Sequence, residues 1–211
     1  MDLFFFIPKK IAGSHSRFNE KIDVVERFGK KELYVNGIQQ SGSYTKRLWK
    51  KGLTDLLQKP TGIVKNILIL GVGGGTLFPL LHKSFPDATV TAVDVDEEII
   101  SLYKKYFSDN NTSYLRLVCS DARNFLTREK KKFDIIIIDI YTGNDVPGFV
   151  TDTKFLNSCH ERLAPRGNVI INYFSYKNQL SKSKRLLDRL SKIYQAVIKK
   201  RILYNIFYYC S

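Results

Sequence analysis

The sequence predicts an α/β fold, a doubly wound, mostly parallel sheet of seven strands preceded by a small β-hairpin region. Three observations predict it. From residue 66 onward short apolar runs alternate with amphipathic stretches, the order that gives parallel strands joined by right-handed helical crossovers. The run 135–138 is apolar at every position, as a central strand covered on both faces requires. Between the first strand and its helix stand Gly71, Gly73, Gly74 and Gly75, four glycines in five positions. Glycine there lets the backbone turn tightly and approach a ligand closely.

The elements follow in order. Residues 22–35 read as a hairpin, IDVVERF and ELYV about a turn at 29–31, with a second turn at Asn36-Gly37. From Ser43 the apolar period becomes helical through Tyr44, Leu48, Leu53, Leu56 and Leu57, with Ser43 as cap and Pro60 and Gly62 as the stop. Strands then fall near 66–70, 89–94, 114–118, 133–139 and 168–172, and helices near 76–84, 96–107, 121–129, 151–163 and 176–194. Pro79 is tolerated in the first turn of its helix. Segments 195–200 and 203–209 close the chain as a hairpin. The boundary at Pro60–Gly62 divides an N-terminal hairpin region with its linking helix (1–60) from the α/β unit (61–211).

The chain's 211 residues are 44% hydrophobic and 26% charged, which fits one globular unit. Its longest apolar runs are too short for a membrane span. Cys119, Cys159 and Cys210 are widely spaced, and His15, His82 and His160 are scattered. Buried thiols, no metal site and a reducing, cytoplasmic setting are therefore expected. The net charge of +14 is uneven: 13 basic against 6 acidic residues in 1–66, 12 against 13 in 67–175, and 9 against 1 in 176–211. The basic ends read first as solvated surface, because no aromatic-interleaved RNA motif accompanies the lysines. Nucleic-acid contact is the second reading, and no membrane partner is expected.

The acids at the strand ends are the candidate site. Asp94 closes the second strand nineteen residues past Gly75, where a carboxylate accepts from a ribose diol, while Asp96 suits a helix cap. Asp121 either accepts from an adenine amino group, with the Ala122 amide beside it, or caps the next helix. Asp139 ends the fourth strand of the α/β unit, where a carboxylate binds a cationic sulfonium or amine, or takes a proton from an acceptor. The competing reading is that Asp139 only orders the 140–148 loop.

Six segments together resemble the spermidine synthases and their relatives within the class I methyltransferase (Rossmann-like) fold. KELYVNGIQQSGSY is similar to "LxLDGxxQ" followed by a tyrosine; LGVGGGTL to "GGGDGGTL"; TAVDVDEEII to "TLVEIDEEVI"; CSDARNFL to "GDGFEFL". FDIIIIDIYTGNDVPG resembles "YDVIIVDSTDPVGP", and KFLNSCHERLAPRGNVIIN resembles "EFYELVKRALKPGGILV". The resemblance implies S-adenosylmethionine or its decarboxylated form as co-substrate, without a metal. It places Gln40 and Tyr44 over the active site, Asp94 on the ribose, Asp121 on the adenine and Asp139 at the aminopropyl-transfer step. The glycine turn would hold the donor's tail. It also implies a homodimer paired through the N-terminal strands.

The departures fall at the acceptor and the donor tail. The family's Asp within the glycine turn is Gly73, the second acid of "DSTD" is Thr142, and the "YHE" after the hairpin reads Tyr44-Thr45-Lys46. A polyamine pocket needs carboxylates to offset desolvation of its cations, with Asp145 available as a substitute. An acid at position 73 would repel the carboxylate of S-adenosylmethionine, so its loss admits the ordinary methyl donor. The expectation is a spermidine-synthase-like transferase passing an alkyl group, methyl ahead of aminopropyl, to a small-molecule acceptor. Its alternatives are an aminopropyltransferase making spermidine from putrescine, and a non-catalytic nucleoside-binding module whose basic ends contact nucleic acid. A nicotinamide dehydrogenase is disfavoured, since the glycines are not spaced G-x-G-x-x-G.

Overall fold

The computed structural model describes residues 7–58, 63–109, 111–143, 145–174 and 180–211. It opens with an antiparallel four-stranded meander, β1 (Lys9–Ser14), β2 (Ile22–Arg27), β3 (Lys30–Val35) and β4 (Ile38–Ser41). The β2–β3 turn is Phe28-Gly29 and not 29–31, because Arg27 pairs with Lys30. Both turn residues have positive φ, 51° and 68°, the two-residue geometry that follows strand twist. Asn36 and Gly37 repeat it at 50° and 81°. Strands β1 and β4 lie outside the predicted set: β1 has no fully buried residue and β4 only four residues, so neither carries a clear period.

Helix α1 (Ser43–Gln58) starts on Ser43 itself, and the Gly42 carbonyl accepts from Lys46 N–H at 2.9 Å. It crosses the large sheet at Gly52, where an added Cβ would stand 2.6 Å from the Phe207 ring. Trp49, 1% exposed, meets the same ring edge-on at 5.1 Å. The predicted stop at Pro60 and Gly62 lies outside the described residues, as do the Leu56 and Leu57 side chains.

The chain then alternates β5 (Asn66–Leu70), α2 (Leu77–Ser84), β6 (Thr89–Asp94), α3 (Glu97–Tyr106), β7 (Leu115–Cys119), α4 (Ala122–Arg128) and β8 (Phe133–Ile138). A 3₁₀ turn (Gly148–Thr151), α5 (Thr153–Glu161), β9 (Leu163–Phe174), α6 (Leu180–Ile193), β10 (Val197–Ile202) and β11 (Asn205–Cys210) complete it. The sheet order is β10-β11-β9-β8-β5-β6-β7. The strands β5 to β9 run parallel; β11 is antiparallel to β9 and β10 to β11. Strand order reverses at β5, which pairs β6 on one side and β8 on the other, and ligand crevices in such sheets open beyond the carboxyl ends at this point.

The alternation of side chains along each strand sorts the core into two layers. Ile67, Ile69, Ile135, Ile137 and Phe207 face Leu48, Trp49, Phe78 and Ile99 from α1, α2 and α3. Leu68, Leu70, Ile136, Ile138 and Ile171 face Leu126, Leu156, Leu186 and Leu190 from α4, α5 and α6. On α6, Leu190 and Tyr194 are buried and Leu187 is partly so. Tyr176 and the Leu180 side chain lie outside the described residues. No helix among those residues is long and apolar enough to cross a membrane.

Candidate active site

A cavity of about 310 Å³ opens where the strand order reverses. Its floor is the carboxyl ends of β5, β6, β7 and β8, and its roof is Phe18 and Asn19 from the β1–β2 loop, Val35, Gln40 and Trp49. Three tethers hold that roof down. Asp96 accepts from Ser16 Oγ (2.5 Å) and Asn19 Nδ2 (2.7 Å) while capping α3 through Glu98 N–H. Ser41 and Thr76 share a hydroxyl hydrogen bond of 2.8 Å. Gln40 Nε2 donates to the Gly143 carbonyl at 3.5 Å.

The glycine turn divides. At Gly71 a Cβ would run into the Asp139 carbonyl, at Gly74 into Ser41 and at Gly75 into the Tyr103 ring. Packing alone requires glycine at these three positions, and Gly71 lines the main cavity as well. Gly74 and Gly75 also face a second hollow, with Lys30, Lys31 and Lys46, away from the main cavity. Gly73, with φ 51°, is different: a Cβ there would meet only the Gln40 carbonyl, at 3.7 Å, and the residue lines the main cavity.

Asp94 pins this turn. Its Oδ2 accepts from Val72 N–H (2.9 Å) and its Oδ1 from Asp96 N–H (3.0 Å). Burial pushes its pKa up against those bonds, and a carboxylate with two partners keeps lone pairs for the cavity it lines. Asp121 caps α4, accepting from the Arg123 and Asn124 amides. It also takes both Arg123 guanidinium bonds, at 3.1 and 2.7 Å. Those bonds hold its carboxyl below the usual range. Of the two readings of Asp121, the cap is therefore present, and the Arg123 pair was not foreseen. Arg123 lies 4.6 Å over the Phe149 ring, so with Ala122 this end of the cavity offers an apolar and cationic-π wall.

Asp139 stands at the end of β8. Asn172 Nδ2 donates to its Oδ1 at 2.9 Å and Trp49 Nε1 to its Oδ2 at 3.2 Å. Burial outweighs both donors and raises its pKa to about 6. Tyr141, two residues on, is raised well above its ordinary value by burial and then by the Asp139 charge. Tyr44 does not line the cavity. It is half-buried, its phenol meets the Tyr204 backbone, and burial raises its pKa; Trp49, further along α1, occupies the position over Asp139. Asp145 closes a tight turn with Thr142 and is exposed, outside the cavity lining.

The structure thus brings Gln40, Gly71, Gly73, Asp94, Asp121, Ala122 and Asp139 to one cavity and leaves Tyr44, Gly74 and Gly75 behind its walls. Sequence reasoning missed Trp49, Arg123, Tyr141 and Asn172. Two of these carry a visible signal: Trp49 is the chain's single tryptophan, and Asn172 interrupts the apolar run VIINYF. Among the described residues, the lining contains four aspartates (Asp94, Asp96, Asp121, Asp139) and one cation, Arg123, in a chain of net charge +14.

A family model for the spermine/spermidine synthase domain matches residues 53–208. The polyamine aminopropyltransferase of Buchnera aphidicola subsp. Schizaphis graminum is 28% identical over 200 residues, 88% of this chain and 68% of that protein. The polyamine aminopropyltransferase of Vibrio vulnificus is 26% identical over 136 residues, 63% of this chain and 43% of that protein. The match to the Vibrio relative therefore covers less than half of that protein. A spermidine synthase solved in complex with the transition-state analogue AdoDATO has a TM-score of 0.78 at 18% identity, covering 96% of this chain and 73% of the other. That likeness shows the fold. With the family model matching most of the sequence, the chain belongs to the spermine/spermidine synthase domain family.

Proposed function

We propose that this protein transfers an aminopropyl group from decarboxylated S-adenosylmethionine to an amine, with Asp139 as the base. The observation that carries this is the Asp139 carboxylate, buried at the end of a central strand, with a pKa of about 6. A base in that range is ionised near neutral pH, and desolvation in the cavity lowers the pKa of an ammonium so that its proton can pass to the carboxylate. The freed nitrogen lone pair then attacks the aminopropyl carbon bonded to the sulfonium. The C–S bond breaks with its electrons going to sulfur, leaving a neutral thioether nucleoside and a secondary ammonium product. Positioning supplies most of the acceleration, and the four aspartates of the lining suit two cationic reactants. Asp94 would hold the ribose diol, Ala122, Asp121 and Phe149 the base, and Gly71 and Gly73 the sulfonium tail. Gln40 and Trp49 would cover it.

This reading replaces the methyl-donor preference drawn from the sequence. The Buchnera and Vibrio relatives are named polyamine aminopropyltransferases, and Lys46, which stands where the family has the acid of "YHE", faces the second hollow. Tyr44 is given a supporting place behind Tyr141 in place of a catalytic one. Residues 61–211 would form the catalytic unit and 1–60 its cover, since the roof residues come from both sides of Ser41.

The test is turnover of the purified chain with putrescine as the amine, supplied in parallel with decarboxylated S-adenosylmethionine and with S-adenosylmethionine. Release of methylthioadenosine from the decarboxylated donor is expected. Methylated product from the ordinary donor, with no methylthioadenosine from the other, would overturn the proposal.

A further inference from the structure

We propose that Asn205, acting through Asn172, is a positioning residue for the Asp139 carboxylate, the two amides forming a relay in which Asn205 donates to Asn172 and Asn172 donates to the carboxylate. The proposal rests on the reading of Asp139 as the base. Asn172 lies near the end of β9 and Asn205 opens β11; they are 4% and 5% exposed. Both are buried amides inside an otherwise apolar layer, where each polar atom needs a partner.

The direction of the relay is set at its far end. Tyr141 spends its single hydroxyl hydrogen on the Asn172 backbone carbonyl, at 2.9 Å. Its oxygen therefore faces Asn205 as an acceptor, 3.4 Å from Nδ2. Asn205 must present its NH₂ group there, and the same nitrogen donates to Asn172 Oδ1 at 2.8 Å. With its oxygen so occupied, Asn172 turns its own NH₂ to Asp139 Oδ1, at 2.9 Å. Flipping Asn172 would set oxygen against carboxylate at one end and NH₂ against NH₂ at the other. The phenol thus fixes the orientation of two amides, and through them a donor that favours the ionised acid.

Among the described residues, the groups facing Asp139 are Trp49 from α1, Asn172 from β9 and the Tyr141 phenol on its own loop, with the Tyr44 and Tyr173 phenols next to Tyr141. Burial opposes ionisation and the two donors favour it. Removing the Asn205 amide frees Asn172 to rotate and weakens one of those two donors, although Asn205 touches neither cavity nor reacting atoms.

The experiment is a ¹³C-carboxyl NMR titration of the full ligand-free chain labelled at aspartate, with the Asp139 signal assigned by D139N. Asn205→Leu removes the amide at similar size, and Asn205→Ser keeps a small polar group for Tyr141 in case the first variant folds poorly. The Asp139 midpoint is expected to rise by about one pH unit in both. The acid limb of aminopropyl transfer should move by the same amount, kcat should fall, and KM for the donor should change little. A midpoint within a few tenths of wild type in either folded variant would overturn the relay. If the midpoint moves but wild type transfers nothing, the positioning holds and the assignment of Asp139 as the base is what fails.

Discussion

Neighbouring glycines of one turn answer to different forces. Gly71 has φ 106°, and a Cβ on it would strike the Asp139 carbonyl, so the turn and the β8 end can pack only without a side chain. Gly73 has φ 51°, in the left-handed region that Asp tolerates, and open space beside the cavity. Two substitutions should therefore part company. Gly71→Ala is expected to cost about 3 kcal/mol or more through backbone displacement. Gly73→Asp should stay within about 1 kcal/mol of wild type, with both read by urea denaturation. Gly73→Asp should also raise the preference for the decarboxylated donor over S-adenosylmethionine in calorimetric titration, since a carboxylate there attracts an ammonium and repels a second carboxylate. Equal stability losses in the two variants would contradict the packing account.

Among the elements, the packing of α1 on the sheet decides whether Trp49 reaches Asp139. Gly52 lets the helix approach Phe207, and Tyr209 Oη donates to the Gly52 carbonyl at 2.6 Å. Gly52→Ala should cost about 1–3 kcal/mol by overpacking despite its better helix propensity, and should slow transfer by lifting Trp49 from the carboxylate; an unchanged urea midpoint would contradict this. The alternating elements from β5 onward could be read from the chain because each carries its own period. The strand-end acids could be read for the same reason, each being local to one strand. What escaped depends on distant partners. Trp49 meets Asp139 across 90 positions and Asn172 across 33, and no local pattern encodes either contact. The β1 and β4 strands escaped because an edge with weak alternation looks like loop, and the β2–β3 turn was misplaced because Phe28 gives no hint of a positive φ.

Over the whole molecule, charge is partitioned. The ends carry the positive excess, while the cavity gathers four aspartates around one paired arginine. A pocket of that sign suits cations, and in the proposed mechanism Asp139 is the member that exchanges a proton with one. Its raised pKa fixes the sign of the pH dependence. The carboxylate must be ionised to act, so kcat/KM should be flat above its pKa and fall about tenfold per unit below it. The measurement that tests this most directly is the pH profile of methylthioadenosine release by the wild-type chain and by Asp139→Asn. The account predicts an acid limb centred near 6 in the wild type, and a variant at least ~100-fold slower with no limb. An Asp139→Asn enzyme near the wild-type rate, or a wild-type profile flat through that region, would contradict it.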